Sequence, residues 1–154
     1  MDLADRIHRT NAAYARAIDN DELERWPEFF TDACRYRITN AENHRLGYPA
    51  GLMYGVSRGM LTDRVTALRQ ANIYERQVYR HILGQPAILA EAAEEAESET
   101  PFTVMRVMRD GSTSVFASGR YVDRWRIEGA EMKLAERLVV CDSSRVDTLI
   151  ALPL

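Results

Sequence analysis

The spacing of apolar residues changes along this chain, and the change restricts its fold class more than any other feature. Four apolar residues among the first twenty recur at helical spacing, which predicts one amphipathic helix from about Asp2 to Asn20. From Val78 onward, apolar residues mostly alternate with polar ones, which is typical of strands with one buried face. Helices followed by strands predict an α+β fold. The four apolar residues of the first helix are Leu3, Ile7, Tyr14 and Ile18.

The segment between these two parts contains shorter elements. A cluster around Pro27 indicates a turn and a short helix. Cys34, Tyr36 and Ile38 then alternate on the buried face of the first strand. The patterns predict a short helix ending near Phe30, a strand from Ala33, a loop over Asn40–Ala50, a short strand over Leu52–Val56, a helix over Gly59–Ala71 and a connection over Asn72–Glu75.

The second half predicts a four-stranded antiparallel meander. We expect Gly84 and Pro86 to mark a bulge in the first of these strands, and Gly119 to mark a bend or bulge in the third. In the fourth strand, four apolar residues are expected to share one face: Met132, Leu134, Leu138 and Val140. The predicted strands are Val78–Leu83, Phe102–Met108, Val115–Ile127 and Met132–Val140.

Two other segments are less regular. Ala90–Thr100 contains five glutamates and no apolar stripe, so we expect an exposed, mobile hairpin connection with at most a turn of helix. The apolar segment Leu149–Leu154 is expected to pack against the rest of the chain. Long strands with an internal glycine tend to curl, which predicts a curved sheet around the helices. The result is a single domain over residues 1–154, shaped as a cone with an apolar interior.

Composition excludes several classes of function. The chain has 20 Lys and Arg against 23 Asp and Glu, a net charge of −3 that disfavours nucleic-acid binding. No apolar run approaches the length of a membrane span, and Met1–Arg6 lacks the features of a signal peptide, so we expect a cytoplasmic protein that contacts no membrane. Cys34 and Cys141 are expected to be reduced and buried.

No self-contained catalytic or metal-binding motif is present. Neither cysteine has a Cys or His two or three positions away, which excludes zinc and iron–sulfur motifs of that spacing. His44 and His81 with an acid could form an iron site of the two-histidine, one-carboxylate type, but no spacing supports it. We expect no metal, no cofactor and no catalytic residue in this chain.

The segments Leu61–Arg69 and Tyr79–Leu83, in this order and at this spacing, resemble the beta (small) subunit of Rieske-type aromatic-ring-hydroxylating dioxygenases. In that family an Asp-Arg pair begins the third helix, a Leu-Arg pair ends it, and an Arg-His pair opens the next strand. The corresponding segments are Leu61–Arg69, with Asp63 and Arg64, and Tyr79–Leu83, with Arg80 and His81; Glu28–Tyr36 resembles the family's transition from helix to strand. The proline-containing stretch that usually precedes the Arg-His pair is missing from Ile73–Val78.

The resemblance implies a nuclear-transport-factor-2-like (cystatin-like) cone within an α3β3 hexamer. It also implies that the larger alpha subunit carries the Rieske [2Fe-2S] cluster and the non-heme iron, and that a reductase supplies electrons from NAD(P)H. The beta subunit would then have a structural role in assembly. Four further segments resemble members of the family that serve terephthalate oxidation: Asn11–Ala15, Ala71–Arg76, Cys141–Ser143 and Ala151–Leu154. This resemblance implies that the complex carries out cis-dihydroxylation of an aromatic acid, terephthalate.

The candidate residues have structural interpretations first. We expect a structural or subunit-contact role for seven residues: Asp63, Arg64, Arg69, Arg80, His81, Arg120 and Trp125. The main alternative is a stand-alone isomerase or dehydratase of the same cone fold, with Tyr36, Tyr54, His81 and Asp123 in its cavity. Against it, no acid lies on the inward face of the first strand. A dimeric binding module without chemistry is the third hypothesis.

Overall fold

A layer of helices packs on one face of a mixed β-sheet in a computed structural model of the chain, which describes residues 1–48, 53–71, 78–143 and 152–154. Helix α1 spans Leu3–Asp19, and Asp2 caps it by accepting a hydrogen bond from the N–H of Asp5. A 3-10 helix follows over Leu23–Phe29. Helix α2 spans Ala41–Arg45 and α3 spans Arg58–Ala71. The strands are β1 (Phe30–Asn40), β2 (Met53–Gly55), β3 (Val78–Leu83), β4 (Ala87–Glu91), β5 (Glu95–Val107), β6 (Thr113–Glu128) and β7 (Glu131–Cys141).

The strand order confirms the predicted meander and the mixed character of the sheet. The order is β2-β1-β7-β6-β5-β3, with β4 also paired to β5. Strands β1 and β7 run parallel and the other pairs are antiparallel. Helix α1 buries Ile7, Tyr14 and Ile18, as its spacing predicts, against the inner face of the sheet. The predicted α+β cone, with helices inside a curved sheet, is therefore confirmed.

The segment Ala90–Thr100 contains the end of β4, an exposed hairpin connection over residues 92–94 and the start of β5, so the prediction of a mobile connection is wrong for residues 95–100. Strand β5 begins at Glu95, and its glutamates alternate with small residues that point inward and are buried. Burial of small polar side chains is favourable here because each finds a partner: the Trp125 indole donates to Ser98, and Asn11 donates to Thr100. A strand whose inner residues are small carries no apolar stripe, so its pattern resembled that of a solvated loop.

One of the two predicted irregularities is present. Residues 84–86 lie opposite only residues 100 and 101 of β5, so Gly84 and Pro86 mark an extra residue between β3 and β4, which both pair with β5. A Cβ on Gly119 would lie 1.9 Å from the carbonyl oxygen of Val140, so this glycine permits close approach of β7. The register irregularities of β6 lie elsewhere, opposite Val104/Met105 and at Arg124/Trp125.

The irregularity in β7 changes which residues face the interior. Trp125 pairs with Leu134 and Arg124 pairs with Glu136, so β7 contains one extra residue at this point. Beyond it, Arg137 faces inward opposite Asp123, and Leu138 shares the outward side with Val122. The prediction that Leu134 and Leu138 share one face is therefore wrong, because a single inserted residue reverses the alternation.

Two smaller predictions concern the loop after β1 and the apolar tail. Within Asn40–Ala50, the structure has helix α2, which Asn40 caps by accepting a hydrogen bond from the N–H of Asn43. The expectation of an entirely irregular loop is wrong for that part. In the tail, residues 152–154 are buried, as predicted. The remaining expectations for residues 49–52, 72–77 and 144–151 lie outside the described residues.

Candidate functional site

The interior of the cone contains an ion pair that sequence reasoning missed. Arg137 donates from Nε and Nη2 to the two carboxylate oxygens of Asp123, at 2.9 Å each, and neither side chain is exposed. Nη2 also donates to Oδ1 of Asn11 on α1, at 2.5 Å. The guanidinium lies 3.9 Å from the ring centroid of Tyr121 and 4.3 Å from that of Tyr14. This cluster therefore joins α1 to β6 and β7.

The pKa values of Asp123 and Arg137 depend on burial and on the attraction between the two charges. Burial alone lowers the pKa of Arg137, but the Asp123 carboxylate more than offsets that effect, so the guanidinium stays protonated. Burial also raises the pKa of Asp123, although the charge and hydrogen bonds of Arg137 act in the opposite direction. Because both carboxylate oxygens accept bonds from Arg137, Asp123 is not placed to act on a substrate.

A second buried pair joins the end of α1 to β3. The carboxylate of Asp19 contacts Nδ1 of His81 at 2.6 Å and accepts the His81 backbone N–H at 2.9 Å. The His81 side chain is fully buried and the Asp19 side chain is 5% exposed. Nε2 of His81 is buried without a hydrogen-bond partner. The geometry supports a structural role for His81, since one carboxylate fixes both its ring and its backbone.

The seven residues expected in structural or contact roles divide by location. His81 and Trp125 are buried. Arg69 is hydrogen-bonded to Asp21 and Glu24, and so ties α3 to the segment after α1. Arg120 is half-exposed and lies 3.4 Å from Glu99. Arg64 is half-buried on α3, whereas Asp63 and Arg80 are exposed on α3 and β3.

The four residues of the alternative enzyme hypothesis do not form one cavity. Tyr54 is 57% exposed on β2. Tyr36 is buried, and its hydroxyl is bonded to the backbone of Leu154. Asp123 and His81 belong to the two separate pairs described above. The structure therefore does not assemble an acid, a base and an open cavity from these residues.

Neither cysteine has the environment of a nucleophile. Cys34 and Cys141 are free and buried, as predicted. Burial, with a smaller effect of the Asp142 charge, raises the pKa of Cys141 to about 11. Burial also raises the pKa of Cys34. Both thiols therefore stay protonated near neutral pH and behave as small apolar side chains.

The described residues offer neither a cluster of metal donors nor a membrane-spanning helix. Within residues 1–48, 53–71, 78–143 and 152–154, no group of three or more His, Cys, Asp or Glu side chains is placed to hold a metal ion. The donor set of this part of the chain therefore does not fit an iron centre or a Rieske cluster. No helix in the same part is long and apolar enough to cross a membrane.

Comparison with known proteins decides the family. The family of ring hydroxylating beta subunits matches residues 13–148. The chain belongs to this family. It is 54% identical to subunit beta 1 of the terminal oxygenase component of terephthalate 1,2-dioxygenase from a Comamonas species, over 97% of both chains. It is 38% identical to the small subunit of anthranilate 1,2-dioxygenase from Burkholderia cepacia, over 96% of this chain and 92% of the relative.

A solved structure supports the same family. The crystal structure of a protein assigned as the beta subunit of an aromatic-ring-hydroxylating dioxygenase, from Novosphingobium aromaticivorans, is similar with a TM-score of 0.91 and 38% identity. The match covers 98% of this chain and 96% of that one. The family resemblance stated from the sequence is thereby confirmed.

Sequence reasoning missed the partners of the charged residues inside the cone. The contact of Asp19 with His81 was missed because Asp19 lies at the end of the amphipathic helix α1, where an acid ordinarily faces solvent. Arg137 was missed because the extra residue in β7 reverses the alternation just before it. Asp123 itself was placed in the cavity by the alternative hypothesis, and its spacing agrees, since it lies two residues from both Tyr121 and Trp125 on their buried face.

Proposed function

We propose that this chain is the structural and assembly subunit of a two-component aromatic-ring dioxygenase. Its partner is a larger alpha subunit that carries the Rieske cluster and the non-heme iron, in an α3β3 hexamer that receives electrons from NAD(P)H through a reductase. The observation that carries the proposal is the 54% identity, over 97% of the chain, to a terminal-oxygenase beta subunit. The ion pair inside the cone is consistent with it, because both carboxylate oxygens of the buried Asp123 accept hydrogen bonds from Arg137.

The substrate class follows from the same relatives. The proteins named above serve dioxygenases of terephthalate and anthranilate, which are both aromatic acids. We assign cis-dihydroxylation of an aromatic acid, terephthalate first, to the complex. The specificity resides in the alpha subunit, since the described part of this chain offers no donor set for iron.

We choose the residues for subunit contacts by whether they are exposed on the surface of this chain. Arg80 lies on the outer face of β3 between Val78 and Ile82, which are 53% and 56% exposed. Apolar side chains around an arginine are the composition that protein interfaces favour. We assign Arg80 and Asp63, both exposed, to subunit contacts, and His81 and Trp125 to the internal framework.

Co-expression tests the proposal. The tagged chain is produced together with the alpha subunit of a terephthalate-oxidising dioxygenase, and the product is measured by native mass spectrometry and iron analysis. We expect equal numbers of both chains, with iron and a Rieske absorbance. Arg80→Glu is expected to reduce the yield of the complex at unchanged Tm of the isolated chain, whereas Arg9→Glu, at an exposed position of α1, leaves the yield unchanged. A metal-free homo-oligomer that does not bind the alpha subunit would contradict the proposal.

A further inference from the structure

Residues 152–154 lie inside the cone although they form no helix or strand. Leu154 is fully buried, Leu152 is 9% exposed, and both belong to the apolar cluster formed by the helices and the sheet. Pro153 is also buried. A segment without secondary structure must find partners for its backbone groups elsewhere, because unpaired buried polar groups are costly.

Aromatic side chains from three different elements supply those partners. The carbonyl oxygen of Leu154 accepts hydrogen bonds from the hydroxyls of Tyr14, at 2.8 Å, and Tyr36, at 3.0 Å. The N–H of Leu154 donates to the Tyr36 hydroxyl, also at 3.0 Å. The indole N–H of Trp26 donates to the Tyr14 hydroxyl at 3.0 Å and so orients it. These side chains come from α1, β1 and the 3-10 helix.

This arrangement is that of a receptor and a bound peptide. Among the described residues, it is side chains that hold both backbone groups of Leu154, as they do for a short peptide that adds to no sheet. The three aromatic residues also pack on one another and on Phe30, with edge-to-face ring contacts between 5.1 and 6.2 Å. Such packing makes the pocket rigid before its occupant arrives, which lowers the entropy cost of binding.

We propose that Tyr14, Trp26 and Tyr36 form a binding site for a short apolar peptide, and that residues 152–154 are its ligand within the same chain. The site takes a leucine-like side chain next to a backbone amide, with the phenols recognising the carbonyl and the N–H. The inference does not rest on the assembly function proposed above.

A peptide supplied separately tests the proposal. The chain is shortened to end at Ala151, and the probe is acetylated Ala-Leu-Pro-Leu, as the free acid and as the amide. We expect at least one form to raise the Tm of the shortened chain with increasing concentration. The indole N–H signal of Trp26, one of two tryptophans, should return to its position in the full chain. The control peptide Ala-Leu-Pro-Asp is expected to have no effect, and the full chain should not respond to any of these peptides.

Two variants extend the test. Tyr36→Phe in the shortened chain removes the hydroxyl that forms two of the hydrogen bonds to Leu154 in the full chain. This substitution should weaken peptide binding about tenfold. If the shortened chain does not fold, Leu154→Ala in the full chain leaves an apolar cavity, for which benzene is the probe. Benzene should then raise the Tm and shift the Trp26 signal, and it should affect neither in the exposed control Leu89→Ala.

The proposal is overturned by either of two results. The first is a folded shortened chain whose Tm and Trp26 signal do not respond to either form of the peptide. The second, where that chain does not fold, is a Leu154→Ala protein whose Tm and Trp26 signal do not respond to benzene.

Discussion

Asp123→Asn should be among the most destabilising single substitutions of a polar residue in this protein. The substitution removes the negative charge but keeps the side-chain volume, so it leaves the Arg137 guanidinium buried without a counter-ion. Breaking a fully buried pair in this way costs about 3–5 kcal/mol. A domain of this size has a free energy of unfolding of about 5–15 kcal/mol in total, so the variant should lose about a fifth or more of its stability.

The magnitude follows from the number of contacts that depend on the carboxylate. Both oxygens of Asp123 accept a charge-assisted hydrogen bond of 2.9 Å from Arg137, and such bonds contribute about 1.5–3 kcal/mol each. Asn11 still accepts one bond from Arg137 in the variant, so part of the network survives. For a chain of 154 residues, a loss of 3–5 kcal/mol corresponds to a decrease in Tm of roughly 6–20 °C.

Urea unfolding of the isolated chain, followed by far-ultraviolet circular dichroism and tryptophan fluorescence, measures this loss. Asp32→Asn is the matched control, because Asp32 forms a 2.9 Å pair with Arg58 while its side chain is 91% exposed. An exposed pair contributes about 0–1 kcal/mol, so the control should remain close to wild type. The double variant Asp123→Leu/Arg137→Met should lose less than the sum of its single variants, because no buried charge remains. A value for Asp123→Asn within about 1 kcal/mol of the control would refute the reasoning.

Three further predictions concern other parts of the fold. Gly119→Ala should lower the free energy of unfolding in urea by about 3 kcal/mol, because its Cβ would meet the Val140 carbonyl at 1.9 Å. The control Gly59→Ala should be tolerated, since no atom lies closer than 3.7 Å to the added Cβ. Equal effects of the two substitutions would contradict this. His81→Ala should lower stability or yield of the assembled oxygenase more than turnover per iron centre, because it removes the link to Asp19; normal assembly with full iron and lost turnover would oppose a structural role. Burial raises the pKa of three phenols. These phenols therefore ionise more easily in the unfolded chain than in the folded chain. The stability that they contribute is complete below about pH 10 and is lost as the pH rises further. The absorbance of three of the seven phenolates should appear only together with loss of the circular dichroism signal, and ionisation of all seven tyrosines before that loss would exclude burial as the cause; the three are Tyr14, Tyr36 and Tyr121.

Most elements could be predicted because their periodicity is local. Helix α1 and strand β6 have buried residues where their spacing predicts them. Segments with small or capping residues were harder to interpret. Strand β5 begins at Glu95 because Ser98 and Thr100 find partners on other elements, and α2 forms because Asn40 caps it. Neither partner of such a contact is visible in a one-dimensional pattern.

The candidate site was likewise predictable from the sequence only in part. The sequence alone identified the family and therefore the class of complex, because ordered short motifs carry that information. It also indicated that Tyr36 and His81 face inward. It could not indicate that Asp19 fixes His81, or that Tyr36 bonds to Leu154, 118 residues away. These contacts depend on how the helix layer and the tail lie on the sheet.

The sequence by itself determined the fold class, the apolar stripe of α1, the order of the meander and the family, since each depends on residues that are close in the chain or on a pattern of identities. Only the tertiary structure decided which charges are buried and what fills the cone. A single extra residue in β7 turned Arg137 inward to meet Asp123. The physical reason is that burial is a property of all elements together, and one change of register transfers every later side chain to the opposite face.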